Sequence, residues 1–211
     1  MDTVLTVWCS SWKTDEPRLT DASQGGIDPL LDMIEIYVDG SAINNENPNI
    51  PSLGGVGVCI IYNGNKESWR VEDSKVIGYY YTVTNDMLEA PGSGLNLGKT
   101  TNNTTELAAI YMALKLVKGR VTNKKGEDAV IYGDSQYAGN LVFGNWKPKE
   151  NKELVAKVKQ LASEVPNVTW EYVKAHADNE YNNYADYLAR SGAYKNPQDY
   201  VLSFNEWLSS E

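Results

Sequence analysis

Apolar residues recur along the chain in two patterns, and each pattern predicts a different element. In the first, short β-branched runs alternate with polar residues or stand between turn residues, which is typical of β-strands. The segment Ile34-Glu-Ile-Tyr-Val38 is the clearest example, and Asn63-Gly64 indicates a tight hairpin between two such runs. Strands are predicted over residues 34–38, 58–62, 66–71, 129–132 and 168–173, with a further extended stretch at 76–84.

In the second pattern, apolar residues recur every three to four positions, which is the period of an amphipathic helix. Three strands precede the first helix, a long loop is expected at 85–99, and helices then alternate with strands. That order predicts an α/β protein with a mixed sheet and helices packed on it. Helices are predicted over residues 104–118, 135–143, 150–163 and 179–190, with one amphipathic turn around Phe204, Trp207 and Leu208.

Size and composition limit the class of protein. A chain of 211 residues with 42% hydrophobic residues is large enough for one well-buried domain, since domains usually span about 100–200 residues. It has no apolar run long enough to span a membrane and no basic N-terminal leader. Two cysteines, Cys9 and Cys59, make no disulfide framework, and Cys59 is expected in the core. We therefore expect a soluble, cytoplasmic protein with no membrane partner.

Charge separates the N-terminal part from the rest. The net charge of −9 argues against a nonspecific nucleic-acid coat, which is usually basic, but it does not exclude an enzyme with an acidic cleft filled by metal ions. Residues 1–33 carry six acids, two bases and several helix or strand breakers. We therefore divide the chain into an acidic N-terminal extension (1–33), a main domain (34–192) and a C-terminal tail (193–211).

Four carboxylates lie beside positions that are predicted to be buried. Asp39 follows the first strand and Asp134 the fourth, so both belong at a strand end, where ligands of such sheets bind. Glu106 and Asp186 lie in helices beside apolar residues. Taken singly, each is more often a turn former or a solvated acid. Brought together, they would repel one another unless cations lay between them, and Mg²⁺ prefers carboxylate oxygens.

Five motifs follow one another in a set order over residues 34–192. They are Tyr-Val-Asp39-Gly40-Ser41, Gly54-Gly55-Val-Gly57, Thr101-Asn102-Asn103-Thr-Thr-Glu106-Leu107, Gly133-Asp134-Ser135-Gln136-Tyr137, and Lys174-Ala-His176-Ala with Asn183-Tyr-Ala-Asp186. In this order they resemble the type-1 ribonuclease H family. The resemblance implies that residues 34–192 are a ribonuclease H catalytic domain with a ribonuclease H-like fold, in which a mixed five-stranded sheet carries helices on both faces.

The activity implied by this resemblance is endonucleolytic hydrolysis of the RNA strand of RNA–DNA hybrids, leaving 5′-phosphate and 3′-hydroxyl ends. The family's acids map onto Asp39, Glu106, Asp134 and Asp186, which would hold two Mg²⁺ ions, with Mn²⁺ able to substitute. His176, the only histidine, matches the family's mobile catalytic histidine. The alternative for His176 is a structural role in a loop.

The resemblance also implies contacts with the hybrid. Amide side chains suit the ribose 2′-hydroxyl and base edges, and the alternative for Asn102 and Asn103 is helix capping. Thr101 and Asn145 match a phosphate pocket for the DNA strand, and Trp146 matches an aromatic residue of the DNA channel. The full set of expected contacts is Gly40, Thr101, Asn102, Asn103, Gln136, Asn145 and Trp146.

Two departures from the family pattern leave other functions open. The family's basic protrusion is reduced, with residues 147–159 as its candidate replacement or as an ordinary amphipathic helix, and Thr104 stands where many members carry Arg. One alternative is a noncatalytic module that binds hybrids or proteins on the same fold. Another is a two-metal nuclease that acts on DNA. The expected partner is an RNA–DNA hybrid, and no obligate protein partner is indicated.

Overall fold

Six β-strands form one sheet in the computed structural model, which describes residues 34–43, 52–62, 75–121, 129–165, 167–175, 179–196 and 200–210. The strands are β1 (Ile34–Ile43), β2 (Leu53–Tyr62), β3 (Lys75–Thr84), β4 (Met87–Glu89), β5 (Ala129–Gly133) and β6 (Val168–Tyr172). The helices are α1 (Asn102–Val121), α2 (Gln136–Val142), α3 (Lys152–Ser163), α4 (Glu180–Ala193) and α5 (Phe204–Leu208).

The predicted strand count of five was wrong, because β4 lies within the segment expected to be a loop. Asn85 and Asp86 both adopt left-handed backbone conformations, with φ of 49° and 60°. This two-residue turn folds Met87 back opposite Thr84, so that β4 pairs with β3. The stretch 76–84 is confirmed as a strand. The predicted strand at 66–71 and the Asn63-Gly64 hairpin lie outside the described residues.

Strand order places the ends of two parallel strands side by side. The order is β4-β3-β2-β1-β5-β6, in which β1 to β4 pair antiparallel and β1, β5 and β6 run parallel. Parallel neighbours end at the same edge of a sheet. The carboxyl ends of β1 and β5 therefore meet in the middle of one edge.

Helices cover both faces of the sheet, as predicted. On one face, α1, α2 and α3 bury an aliphatic core that includes Ile36 and Val38 of β1. Tyr37 points to the opposite face because side chains alternate along a strand, and there it joins α4, α5 and the buried free thiol of Cys59. Helix α5 lies within the predicted tail and packs through Phe204 and Trp207. Among the described residues, no helix is long and apolar enough to cross a membrane.

Candidate active site

The register between β1 and β5 brings two acids together. Tyr37 lies opposite Tyr132 in the parallel ladder, and the same register continued by two residues sets Asp39 beside Asp134. Asp39 is buried, with only 8% of its surface exposed, and Asp134 is half-buried immediately after Gly133. Two carboxylates from distant parts of the sequence therefore share one sheet edge.

Helix α1 supplies a third carboxylate, because its first turns pack directly on the end of β1. A Cβ atom at Gly40 would lie 2.3 Å from the backbone nitrogen of Glu106 and 2.4 Å from the carbonyl carbon of Thr105. Only glycine allows this approach. Gly40, expected from the resemblance to contact the hybrid, thus has a packing role that sets Glu106 against Asp39.

The three carboxylates form a compact cluster. One carboxylate oxygen from each of Asp39, Glu106 and Asp134 lies within 4.8 Å of the other two. Asp39 and Glu106 share a hydrogen bond. Burial, together with the charges of Asp134 and Asp186, raises the pKa of Asp39 to about 7. Burial and the neighbouring acids also raise the pKa of Glu106 well above its usual value.

Asp186 approaches the cluster from the opposite face, on α4. It is near enough for its charge to raise the pKa of Asp39, and its carboxylate accepts a hydrogen bond from the guanidinium of Arg190 at 2.5 Å. Helix α4 lies unusually close to β2, since a Cβ at Gly55 or Gly57 would fall about 2 Å from a backbone oxygen of this helix. These glycines let the helix bring Asp186 toward the strand ends.

The donor set fits a divalent metal ion. Oxygen ligands from several carboxylates suit hard divalent cations such as Mg²⁺ and Mn²⁺. Without a cation, burial and mutual repulsion favour the protonated forms of Asp39 and Glu106, and the pKa values of both are raised for this reason. A bound cation would remove this repulsion, so the residues present are chemically suited to hold one.

The first turn of α1 carries three of the residues expected to contact the hybrid. Asn102 and Asn103, in the first turn of α1, are exposed, and Thr101, immediately before the helix, is half-buried. The cap of this helix is Thr101: its amide donates to the Thr104 hydroxyl at 2.8 Å, and the Thr104 amide donates to the Thr101 hydroxyl at 3.3 Å. Asn102 instead accepts a hydrogen bond from the amide of Ala42 at 3.1 Å.

This reciprocal cap explains one departure from the family pattern. Thr104 is fully buried, and its hydroxyl also donates to the carbonyl of Lys99 at 2.6 Å. The larger, charged side chain of Arg could not replace this buried hydroxyl, with its hydrogen bonds to Thr101 and Lys99, unless the cap rearranged. The residue therefore acts in the structure of the helix terminus.

Helix α2 begins two residues after Asp134 and carries another of the expected contacts. Gln136 is exposed at its first position, and the helix is capped by Ser135, whose hydroxyl accepts from the amide of Ala138 at 3.2 Å. Asn145 and Trp146 follow the helix, and 51% of the surface of Trp146 is exposed. Exposed expected contacts thus occur close in sequence to Asp134 as well as to Glu106.

Residues 147–159 form no separate protrusion but lead into α3. This helix is amphipathic and buries Leu154, Val155, Val158 and Leu161. Its lysines at 152 and 157 are exposed, as are Lys147 and Lys149 before it. A role of these lysines in binding nucleic acid stays a prediction. His176 lies outside the described residues, so its predicted role is likewise untested by the geometry.

Some structural roles near the site were not predicted from the sequence. Arg190 lies one turn after Asp186 on α4, and this spacing of four is the signal that could have indicated the ion pair. Asn182, one turn before Asp186, is also buried, and its side-chain oxygen has no hydrogen-bond partner within the described ranges. The role of Gly55 and Gly57 against α4 had no local signal beyond the glycines themselves.

Comparison with known proteins identifies the family. The RNase H family model matches residues 32–194, and the chain belongs to this family. Ribonuclease H of Prosthecochloris aestuarii is 33% identical over 177 residues, which cover 77% of this chain and 97% of the relative. Ribonuclease H of Ehrlichia canis is 32% identical over 174 residues, which cover 76% of this chain and 94% of the relative.

Solved structures show the same fold. LC9-RNase H1, described as a type 1 RNase H with the type 2 active-site motif, superposes with a TM-score of 0.58 at 22% identity, over 86% of this chain and 83% of that chain. LC11-RNase H1 in complex with an RNA/DNA hybrid superposes with a TM-score of 0.54 at 24% identity, over 77% of this chain and 97% of that chain. The predicted ribonuclease H-like fold is confirmed.

Proposed function

We propose that this protein is an endoribonuclease that hydrolyses the RNA strand of RNA–DNA hybrids and leaves 5′-phosphate and 3′-hydroxyl ends. The observation that carries the proposal is the cluster of Asp39, Glu106 and Asp134, whose carboxylate oxygens lie within 4.8 Å of one another. Membership of the RNase H family and the structural likeness to an RNase H solved with a hybrid support the choice of substrate.

In this proposal, the four acids hold two divalent cations. Asp39, Glu106, Asp134 and Asp186 are the ligands, Mg²⁺ is the expected ion, and Mn²⁺ can replace it. When bound, such ions activate water as a nucleophile and stabilise the negative charge that develops on phosphate. The structure supports the ligand assignment for three acids by their mutual distances and for Asp186 by its effect on the pKa of Asp39.

The remaining residues bind and orient the substrate. The exposed amides of Asn103 and Gln136 lie three residues before Glu106 and two residues after Asp134. They can donate to and accept from ribose 2′-hydroxyl groups, the feature that distinguishes RNA from DNA. Asn102 keeps its amide nitrogen for this purpose while its oxygen accepts from Ala42. His176 moves a proton during the reaction, a task for which an imidazole side chain is suited.

The decisive experiment uses one labelled RNA strand annealed to DNA or to RNA, with the same sequence as duplex DNA for comparison. We expect Mg²⁺-dependent cleavage of the DNA–RNA hybrid alone, and products that carry 5′-phosphate. EDTA and the substitution Asp134→Asn should each abolish cleavage. Glu89→Gln, at an exposed acid on β4, is the matched control and should leave the rate unchanged.

Other outcomes would identify the alternatives. Hybrid binding without turnover, in both Mg²⁺ and Mn²⁺, would indicate a noncatalytic module. Preferential cleavage of duplex DNA would indicate a DNA nuclease. Full activity of folded Asp134→Asn would overturn the metal-ligand assignment.

Two organisational features stay predictions. The boundaries of a catalytic domain at residues 34–192, between the extension and the tail, would be tested by limited proteolysis and mass spectrometry of the fragments. Cytoplasmic localisation would be tested by fractionation of expressing cells.

A further inference from the structure

The turn between β3 and β4 contains an aspartate in a conformation that favours glycine. Asp86 has a φ of 60°, and its neighbour Asn85 has a φ of 49°. Two-residue hairpin turns of this kind place both central residues in the left-handed region, where glycine costs least and Asn or Asp is tolerated. An aspartate at such a position points to a use for its carboxylate.

That carboxylate binds the residue that precedes the first turn of α1. One oxygen of Asp86 accepts hydrogen bonds from the backbone amide of Thr100 at 2.7 Å and from the Thr100 hydroxyl at 2.6 Å. The carbonyl of Asp86 accepts a third bond from the amide of Leu97 at 2.7 Å. Thr100 is fully buried, so the two side-chain bonds to the carboxylate are sheltered from competing water.

Thr100 also packs closely against β2. A Cβ atom at Gly54 would lie 2.8 Å from the methyl group of Thr100 and 2.8 Å from that of Thr105. Gly54 therefore admits both threonines against the strand. The position of Thr100 is determined by β2 on one side and by Asp86 on the other.

The residues after Thr100 are those proposed to contact the hybrid. Thr101 caps α1 through its reciprocal bonds with Thr104, and Asn102 ties the same turn to β1 through Ala42. The turn that carries Asn103 is thus held to β1 from one side. On the other side, the chain entering it is held by the bonds from Thr100 to Asp86.

We propose that Asp86 is a positioning residue for hybrid binding, which acts through Thr100 to fix Thr101, Asn102 and Asn103 at the start of α1. This inference rests on the proposed function. Asp86 itself touches no reacting atom. If Asp86 only shaped the turn, glycine would serve at least as well, because it adopts a φ of 60° without strain.

Three substitutions separate these roles. Asp86→Gly keeps the turn and removes the acceptor, and we expect KM for the hybrid to rise about tenfold, the effect of losing charge-assisted bonds, while kcat changes little. Asp86→Asn keeps a side-chain oxygen and tolerance of the left-handed conformation, and should restore most of the binding. Asn85→Gly, which alters only the neighbouring turn position, is the matched control and should leave KM unchanged.

Two further readouts keep the inference independent of turnover. Hydrogen exchange at the Thr100 amide should speed up in Asp86→Gly and stay slow in Asp86→Asn and Asn85→Gly. Fluorescence anisotropy with a labelled hybrid, in an Asp134→Asn background, should show the same order of affinities without cleavage.

An unchanged KM and unchanged affinity in Asp86→Gly would overturn the inference while leaving the proposed function intact. Equal losses in Asp86→Gly and Asn85→Gly would overturn it too, because they would make the turn itself responsible. A wild-type chain that neither cleaves nor binds hybrids would overturn both proposals, whatever the exchange at Thr100.

Discussion

The two faces of the sheet are packed by different means. On the α1 face, aliphatic side chains such as Val38, Leu107 and Leu114 form a thick layer between helix and strands. On the α4 face, the backbone of the helix lies almost directly on β2, where Gly57 faces Ala185 and Ala189. Aromatic residues then fill the space around this contact, with Tyr184, Phe204 and Trp207 among them.

The difference shows how each helix is positioned over the site. A side-chain layer has several ways to absorb a change of volume, so the α1 face can tolerate moderate substitutions. A direct backbone contact cannot absorb such a change, because neither partner can move without breaking hydrogen bonds of the sheet or the helix. The position of Asp186 therefore depends on the absence of side chains, whereas that of Glu106 depends both on Gly40 and on the aliphatic layer behind it.

Gly57→Val should have the largest effect and tests the backbone contact directly. The new Cβ would lie 2.1 Å from the carbonyl oxygen of Ala185. We expect the free energy of unfolding to fall by about 4 kcal/mol or more, or the protein to fail to fold. Val56→Ala, at the preceding position and facing α1, should lower the free energy of unfolding by only about 2 kcal/mol. Urea denaturation of both variants checks this, and equal losses would remove the distinction between the faces.

Trp207→Ala tests whether the aromatic residues of α5 support α4. Trp207 is buried and packs its ring 5.5 Å from that of Tyr184, measured between centroids. Its removal should lower the free energy of unfolding by about 3 kcal/mol, since it leaves a large cavity. Leu208→Ala, the exposed neighbour, should change it by less than about 0.5 kcal/mol. A small effect of Trp207→Ala would mean that α5 contributes little to the α4 face.

The carboxylate cluster, where the two faces meet, should make the metal-free protein sensitive to pH. The pKa of Asp39 is raised from 3.8 to about 7, so the folded state binds a proton that the unfolded state releases. Binding of this proton contributes to the free energy of unfolding. The contribution is fully present below pH 4 and is lost as the pH rises to about 7. We expect a loss on the order of 4 kcal/mol across this whole window, of which about 3 kcal/mol falls between pH 5 and pH 8.

Thermal denaturation in EDTA at pH 5 and pH 8 measures this loss. Asp134→Asn removes one repelling charge, so it should stabilise the metal-free protein at pH 8 even though it abolishes activity. Mg²⁺ should stabilise the wild type at pH 8 more than the variant. Identical pH profiles for wild type and Asp134→Asn would contradict the repulsion within the cluster.

Gly119→Ala should have the smallest effect and the opposite sign. Gly119 lies in α1, and a Cβ atom there would meet nothing within 4 Å. Alanine should therefore stabilise the protein by about 0.5–1 kcal/mol through helix propensity. In α2, by contrast, a Cβ at Gly139 would lie 2.1 Å from the ring of Trp170, so Gly139→Ala should destabilise. Calorimetry of the two variants would show whether packing or propensity governs each glycine.

Most of the elements were predictable because their signals are local. The bounds predicted for α1, α3 and α4 agree with the structure to within a few residues, since a helix shows its buried face in its own sequence. Strand β4 was missed because three residues carry no periodicity. The strand forms because Asn85 and Asp86 adopt left-handed conformations and pair Met87 with Thr84, and these conformations are known only from the structure.

The candidate site was predicted in its chemistry but not in its geometry. The sequence indicated four acids, and the structure brings Asp39, Glu106 and Asp134 within 4.8 Å. It did not indicate that Thr101 and Thr104 cap each other, because Thr104 was noted only as a departure from the Arg that many family members carry. Nor could it show that Gly55 and Gly57 admit α4, since a glycine does not reveal which backbone approaches it.

By itself, the sequence determined the kinds of elements, their order and the residues able to bind a cation, because these depend on the periodicity and chemistry of neighbouring residues. Only the tertiary structure decided which residues meet: Asp39 with Glu106, Gly57 with α4, and Asp86 with Thr100. Contacts between distant segments depend on strand register and on how closely helices approach the sheet. Both are set by the packing of the whole core, which no local pattern contains.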